Sequence, residues 1–121
     1  MITAYDDVPD QVVAFRASGE VTAADYETVL IPAVEKTLAR HKKVSLLYHL
    51  GPDFTGFTPG AMWDDTKIGF KHLASWERIA LVSDVPWIRH MVQAMGFAIP
   101  ATIRVFHNDQ LQDAKRWVSE T

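Results

Sequence analysis

The segment from Trp63 to Trp87 limits the fold more than any other part of the chain, because it changes from a helical to a strand pattern and back. Its opening, WDDTKIGFKHL, is typical of an amphipathic helix, and the following SWERIALVSD is typical of a buried strand. VPW then places a proline in the first turn of a second helix. This succession predicts strands joined by crossover helices, which is the basis of a mainly parallel sheet.

Strand and helix patterns alternate along the whole chain, without a low-complexity linker or a fixed repeat. The predicted strands are 1–5, 11–17, 43–50, 77–83 and 101–107, and the predicted helices are 23–41, 61–74, 86–95 and 109–119. The order β-β-α-β-α-β-α-β-α predicts an α/β fold with a mainly parallel five-stranded sheet and helices packed on it. Turn-forming residues between the first two strands predict an antiparallel hairpin. Strand order does not follow from the pattern.

Local residues mark the start of the first helix, a bend in it and a loop further on. Thr22 and Asp25 have the spacing of a capping box, and Pro32 predicts a kink or break at 29–31 because it lacks a backbone donor. Residues 51–60, GPDFTGFTPG, hold three glycines and two prolines. That density of turn-forming residues predicts one substantial loop.

Composition fits one soluble domain over residues 1–121, with 48% hydrophobic and 22% charged residues. Twelve basic and 15 acidic residues give a net charge of −3, which argues against nucleic acid as a partner. Cysteine is absent, so disulfide and thiolate chemistry are excluded. The N-terminus does not resemble a signal peptide, and no run of about 18 apolar residues is present. We therefore expect a cytoplasmic protein, with peripheral contact at the inner membrane surface as an option.

The sequence holds no complete catalytic or metal-binding signature, so we predict a protein that is not an enzyme, with no catalytic residues, no cofactor and no metal. Its serines occupy no G-x-S-x-G turn, and its glycines lack the spacing of a phosphate or dinucleotide loop. The enzyme alternative rests on His72 with Asp64 or Asp65. Asp65 and His72 are seven residues apart and share a predicted helix face, but a metal site needs three or four convergent ligands.

Apolar side chains gather in two segments that the fold predicts to be neighbours. Loops and helix starts that follow parallel strands meet at the carboxyl edge of the sheet, where α/β folds place ligand sites. We predict a ligand-binding face made of Phe54, Phe57, Trp63, Lys67, Trp87, Ile88, Met91 and Met95. A polar rim for an anionic head group would come from Lys67, Lys71, Arg89 and His90. The alternative is that the aromatic and methionine side chains simply complete the core.

Four strings of the sequence are similar, in order and spacing, to a known family. They are GEVTAADYETVLIPAVE, AMWDDTKIGFKHL, WERIALVSDVPWIRHM and RVFHNDQLQDAKRWV. Together they resemble the SpoIIAA-like branch of the STAS superfamily, small bacterial proteins also described as CRAL-TRIO-like, and the resemblance covers nearly the whole chain. It implies a single STAS-like domain without cofactor chemistry, and a capacity to bind apolar ligands or to associate with membranes.

One motif of the wider superfamily is missing from the chain. Anti-sigma-factor antagonists carry a phosphorylatable serine in a D-S-x-G-like context at the start of the second helix, where this chain has FTGFTPGA at 54–61. Thr55 and Thr58 are the candidate phosphorylation sites there. Thr58 precedes Pro59 and is explained more simply as the N-cap of that helix. The phosphoserine switch of those relatives therefore does not transfer.

These observations predict a non-enzymatic binding or regulatory module that holds a small apolar or amphipathic, lipid-like molecule. The alternative is a protein-interaction module in a regulatory pathway, in which the same edge of the sheet docks a regulatory protein partner. A homodimer is a further option, because an edge strand or an exposed apolar helix can pair with a second copy.

Overall fold

The computed structural model describes residues 1–96 and 98–120, apart from the side chains of Phe70 and Leu73, and contains a five-stranded sheet. The strands follow one another across the sheet in chain order: β1 (Ile2–Ala4), β2 (Val12–Val21), β3 (Val44–Phe57), β4 (Trp76–Val82) and β5 (Thr102–Phe106). β1 pairs with β2 antiparallel, and the other three pairings are parallel. The predicted α/β fold with a mainly parallel sheet is confirmed.

Helices connect the parallel strands. After β2 come α1 (Ala23–Asp25), a π-helical stretch (Tyr26–Leu30) and α2 (Ile31–Leu38), which follow one another without interruption. The later helices are α3 (Pro59–Lys71), α4 (Pro86–Met95) and α5 (Leu111–Ser119), with short 3-10 turns at Leu73–Ser75 and Asn108–Gln110. Helices are thus present in all four predicted regions.

The connections between parallel strands lie on one face of the sheet. The strands progress across the sheet in a single direction, so right-handed crossovers place each connecting helix on the same side. Ile68 of α3 and Ile88 of α4 accordingly pack in one core cluster with Phe15 of β2. α5 follows the last strand, and its Ala114 and Val118 pack against the opposite face. The face with three crossovers is the one that holds the candidate site.

The start of the first helix follows the prediction, and its bend takes a specific form. The Thr22 N–H donates to Asp25 Oδ2 at 2.9 Å, and the Asp25 N–H donates to Thr22 Oγ1 at 3.3 Å, so the capping box is confirmed. Near Pro32, where a kink was predicted, the helix widens into the π-helical stretch instead of breaking. Proline removes one backbone donor and crowds the preceding turn, which a wider turn accommodates.

β3 is longer than predicted, because it continues to Phe57 instead of ending at Leu50. Its second half pairs with β2 through shifts of register, and Gly19 lies opposite Phe54 with a positive φ of 59°. Glycine adopts that conformation without strain. The predicted loop over 51–60 is therefore wrong for most of its length, since hydrogen bonding to a neighbouring strand outweighs the local preference of glycine and proline for turns.

Candidate functional site

A cavity of about 260 Å³ lies between the sheet and the helices α3 and α4. This volume exceeds the roughly 150 Å³ of a dry apolar cavity that accepts benzene. It lies just below the range of about 300–1,000 Å³ that is usual for small-molecule sites. The space therefore suits a ring compound or a short alkyl chain.

The sheet supplies an apolar floor to this cavity. The side chains are Leu46 and Tyr48 of β3, Ile79 and Leu81 of β4, and Ile103 of β5. Residues two apart on a strand project to the same face, so β3 and β4 each contribute a pair of side chains to the floor. The floor is thus a direct product of the strand pattern that also builds the core.

Methionine and tryptophan side chains surround the opening of the cavity. Met62 of α3 and Trp87, Met91 and Met95 of α4 all line it, yet they remain 44%, 52%, 40% and 44% exposed. The three α4 residues are spaced by four, which places them in one stripe along the helix. Methionine is flexible and polarisable, so such a rim can adapt to ligands of different shapes. The cavity opens to solvent through this apolar rim.

Three polar side chains meet at one end of the cavity. The Tyr26 hydroxyl donates to Asp65 Oδ1 at 2.9 Å, and the hydroxyl oxygens of Tyr26 and Tyr48 are 3.1 Å apart. Both tyrosine side chains are buried, and each aromatic ring belongs to the surrounding core cluster. A buried tyrosine hydroxyl needs a hydrogen-bond partner, and this cluster provides one for each ring. We call Tyr26, Tyr48 and Asp65 the polar cluster.

The polar cluster has an unusual protonation behaviour. Asp65 is exposed where it lines the cavity, although the surrounding protein shields part of its carboxyl from water. This partial removal from water raises the pKa of the Asp65 carboxyl, and the hydrogen bond from Tyr26 opposes part of that rise. Burial also raises the pKa of the Tyr26 and Tyr48 phenols, so both keep their protons. Asp65 is consequently the group of the cluster that can change charge.

Four of the eight residues predicted to form the ligand-binding face line this cavity: Phe57, Trp87, Met91 and Met95. Two others do not line the cavity and belong to the surrounding core instead. The Phe54 ring packs on Phe57 with a centroid distance of 4.9 Å, and Ile88 is only 2% exposed within the core. The two predicted segments therefore do meet in space, through Phe57 on one side and α4 on the other.

Trp63 and Lys67 lie elsewhere, in a shallow hollow between α2 and α3. Trp63 is 63% exposed there, and Lys67 Nζ is 3.6 Å from Asp64 Oδ1. Lys71, which was predicted for the rim around an anionic head group, pairs with Glu35 instead. The described lining of the cavity includes no lysine, arginine or histidine, so the predicted basic rim does not form around it.

Arg89 of the predicted rim has a structural task. Its guanidinium donates to the carbonyl oxygens of Ser83 and Phe106, both at 2.8 Å. These bonds tie the start of α4 to the ends of β4 and β5. Arg89 therefore positions the helix whose methionines line the cavity, and its hydrogen bonds are directed at backbone.

The sequence pattern did not reveal the polar cluster. Tyr26 and Tyr48 occupy apolar positions of a helix and a strand, where they resemble ordinary core residues. Asp65 stands next to Asp64 among other charged residues, which suggested a solvated helix face. The sequence feature that could have predicted this cluster is the presence of two tyrosines at core positions. Each buried hydroxyl needs a polar partner, which must come from another element of the fold.

His72 does not converge with the carboxylates on which the enzyme alternative rests. Its Nε2 lies 3.2 Å from Glu35 Oε1, a carboxylate that also accepts from Lys71. Asp65 faces the cavity and bonds to Tyr26. The predicted shared face of Asp65 and His72 is therefore wrong, because His72 lies past the last regular turn of α3 and caps it.

Of the two candidate phosphorylation sites, Thr58 is the N-cap of α3. Its Oγ1 accepts a hydrogen bond from the Ala61 N–H at 3.2 Å, and Pro59 occupies the first turn, as predicted. Thr55 is exposed near the end of β3. A phosphate on Thr58 would have to replace the cap, whereas Thr55 is open to solvent.

Residues 1–96 and 98–120, which the structure describes, contain no group of three or more histidine, aspartate and glutamate side chains placed to hold a metal ion. Within the same residues, no helix has both the length and the apolar character needed to cross a membrane.

Comparison with known proteins assigns the chain to a family. The model of the SpoIIAA-like family matches residues 12–119. A crystal structure of an uncharacterised DUF3478-family protein with a SpoIIAA-like fold, from Shewanella loihica PV-4, is similar with a TM-score of 0.77 and 27% identity. The alignment covers 98% of this chain and 92% of that one. No curated protein matches the sequence. The match over most of its length shows that this chain belongs to the SpoIIAA-like family.

Proposed function

We propose that this protein is a non-enzymatic binding module that holds a small apolar or amphipathic molecule in the cavity beneath α3 and α4. The observation that carries the proposal is the cavity itself, whose walls are mostly apolar, with the polar cluster at one end. Filling such a space removes apolar surface from water, at roughly 25 cal/mol for each Å². A concave apolar site with a few convergent polar groups is the usual form of a small-molecule site.

The exposed rim suggests how a longer ligand would be accommodated. A molecule that exceeds about 260 Å³ would extend through the opening, where it would contact Trp87, Met91 and Met95. These side chains are already exposed, so a ligand that covers them adds favourable burial. This arrangement favours an amphipathic or chain-like ligand over a compact polar one.

Binding of the neutral fluorescent probe N-phenylnaphthylamine tests the proposal. The probe is expected to bind with a rise in its fluorescence, and Trp87→Ala is expected to weaken binding about five- to tenfold. Loss of one aromatic contact at the rim is worth roughly 1 kcal/mol, which corresponds to that factor. Fluorescence titration of both proteins measures the two dissociation constants.

Trp63→Ala is the matched control, because Trp63 is also an exposed tryptophan on a helix but lies outside the cavity. It should leave the affinity for N-phenylnaphthylamine unchanged. Absence of probe binding by the unaltered protein would refute the proposed function. Equal losses in the two variants would show that the probe binds somewhere other than this cavity.

We further propose peripheral contact with a membrane surface, because five of the six large apolar side chains that are exposed among the described residues lie on α3 and α4. They are Met62, Trp63, Trp87, Met91 and Met95. Tryptophan favours the interface of a bilayer, and an exposed apolar patch on a helix can insert at that depth. The protein would then exchange its ligand directly with the lipid phase.

Sedimentation with phosphatidylcholine vesicles tests this contact. The unaltered protein should sediment with the vesicles, and the double variant Met91→Asp, Met95→Asp should remain in solution, because two charges would have to leave water. Raising the salt concentration should change little, since the net charge of −3 provides no attraction to phosphates. A protein that never sediments with vesicles would refute the membrane contact while leaving the cavity proposal in place.

A further inference from the structure

The polar cluster indicates which head group the ligand carries, an inference that rests on the function proposed above. We propose that the cavity prefers an apolar molecule that ends in a hydrogen-bond-donating group, an aliphatic amine above all, and disfavours one that ends in a carboxylate. The observation behind it is an excess of hydrogen-bond acceptors over donors at the polar end of the cavity.

The hydrogens of the two tyrosines are already committed. Each phenol has one hydroxyl hydrogen, and the Tyr26 hydrogen is donated to Asp65 Oδ1 at 2.9 Å. The contact of 3.1 Å between the two hydroxyls must then use the Tyr48 hydrogen, with the Tyr26 oxygen as acceptor. Both hydrogens are consumed within the polar cluster. What remains for a ligand is acceptor capacity: Asp65 Oδ2 and the free lone pairs of the hydroxyls.

Other polar hydrogens along the cavity wall are also used inside the protein. The Thr66 hydroxyl donates to the Met62 carbonyl oxygen at 3.0 Å, and the Trp76 indole N–H donates to the Gly69 carbonyl oxygen at 3.3 Å. The Trp87 indole also lines the cavity, but at its solvent-exposed rim. A ligand that needs donors, such as a carboxylate, would therefore bury its oxygens without partners, which is costly.

Charge gives the same preference. Asp65 is the one carboxylate in the described lining of the cavity, and that lining includes no basic side chain. Lys67 of α3 lies outside the cavity and pairs with Asp64. An ammonium group beside Asp65 would form a charge-assisted hydrogen bond and favour the ionised carboxylate. A carboxylate ligand would face a like charge or force Asp65 to keep its proton.

A series of molecules with the same alkyl chain tests the head-group preference. Octylamine, octanol and octanoate are compared at pH 7 for displacement of bound N-phenylnaphthylamine. Octylamine is expected to displace the probe at the lowest concentration and octanoate at the highest, with about a tenfold difference between them for one charge-assisted hydrogen bond. Octanol, which donates a hydrogen bond without a charge, should fall between the two.

Asp65→Asn removes the charge and adds donor hydrogens at nearly the same size. It should bring octylamine and octanoate to within about threefold of each other, by weakening the first and improving the second. Asp64→Asn is the matched control, since it makes the same change of net charge one residue away and outside the cavity. Asp64→Asn should keep the order of the unaltered protein, with octylamine displacing the probe at the lowest concentration and octanoate at the highest.

The outcomes separate this inference from the proposed function. If the probe binds but octanoate equals or exceeds octylamine in the unaltered protein, the head-group preference is refuted and the binding function stands. The preference is refuted in the same way if Asp65→Asn and Asp64→Asn behave alike. If neither the probe nor any of the three molecules binds, the proposed function is refuted together with the preference. Should Asp65→Asn fail to fold, the order measured on the unaltered protein still decides.

Discussion

The substitution Tyr26→Ala is expected to lower the free energy of unfolding by about 3–5 kcal/mol, as is usual when a large aromatic side chain is truncated in a packed core. Tyr26 has no exposed surface, and its hydroxyl bonds to both Tyr48 and Asp65. Because domains of this kind are stable by only about 5–15 kcal/mol, the loss would remove a large share of the total. Chemical denaturation followed by tryptophan emission measures it.

Two further variants define the origin of that loss. Tyr26→Phe keeps the ring and should cost about 1–3 kcal/mol, because it leaves Asp65 and Tyr48 without their partner. Trp63→Ala truncates an aromatic side chain that is 63% exposed and should change stability by no more than about 0.5 kcal/mol. If Tyr26→Ala were as mild as Trp63→Ala, the core position of Tyr26 would be contradicted.

The substitution Asp65→Asn is expected to stabilise the fold at pH 7. Partial removal from water raises the pKa of the Asp65 carboxyl, so the folded protein holds the proton of that carboxyl more tightly than the unfolded chain does. The stability that comes from the bound proton is present below the unfolded pKa of about 3.9 and is lost as the pH rises through the folded pKa. Asparagine has no such proton to lose, and its side-chain oxygen can still accept from Tyr26.

Thermal unfolding between pH 3 and 8 measures the effect of Asp65→Asn. Water that reaches the carboxyl through the cavity screens part of its charge, so we expect a gain of no more than about 1 kcal/mol. Such a gain would appear as a rise in melting temperature of roughly 4 °C at pH 7. The difference between the two proteins should shrink as the pH falls, because Asp65 then regains its proton.

Asp25→Asn is a control for which the expected change in stability at pH 7 has the opposite sign. Hydrogen bonds from Thr22 lower the pKa of Asp25, so its contribution is present above the unfolded pKa and is lost as the pH falls. Asp25→Asn should therefore destabilise the protein at pH 7. If Asp65→Asn also lowered the melting temperature at pH 7, Asp65 would be contributing to the stability of the fold, and the expected sign would be wrong.

If the Asp65 carboxylate lowers stability at neutral pH as expected, a role in binding would explain its presence. Asp65 borders an open cavity, where a group with an altered pKa is more useful than in a closed core. Proteins commonly give up some stability at binding sites in exchange for function. We therefore expect Asp65→Asn to make the protein more stable and its binding less selective between amine and carboxylate head groups. Replacing a residue with a purely structural role would not produce both changes.

The fold was predictable where local signals agreed with one another. The bounds of α4, Pro86–Met95, match the predicted helix, because Pro86 suits a first helical turn and the apolar spacing continues to Met95. β3 was not predictable beyond Leu50, because its second half depends on the pairing of residues such as Gly19 and Phe54, which are far apart in sequence. Strand pairing of that kind leaves no mark within either segment.

The candidate site was predictable only in its apolar part. Trp87, Met91 and Met95 share a helix stripe, and that spacing can be read from the sequence. The polar cluster joins residues from three separate elements, Tyr26, Tyr48 and Asp65, and no local spacing links them. Likewise, Trp63 and Trp87 look equivalent in sequence, but only the packing of α3 shows that Trp63 lies outside the cavity.

The π-helical stretch Tyr26–Leu30 sets the rotational phase of the helix around it. In a regular α-helix, residues four apart advance by about 40° around the axis, so a row of them gradually winds away from a flat sheet. A wider turn rotates less per residue and cancels part of that drift. Tyr26, Leu30 and Val34 can therefore all remain buried in one line. The direction of the Tyr26 hydroxyl toward Asp65 therefore depends on the number of residues in each helical turn as well as on the identity of the residue.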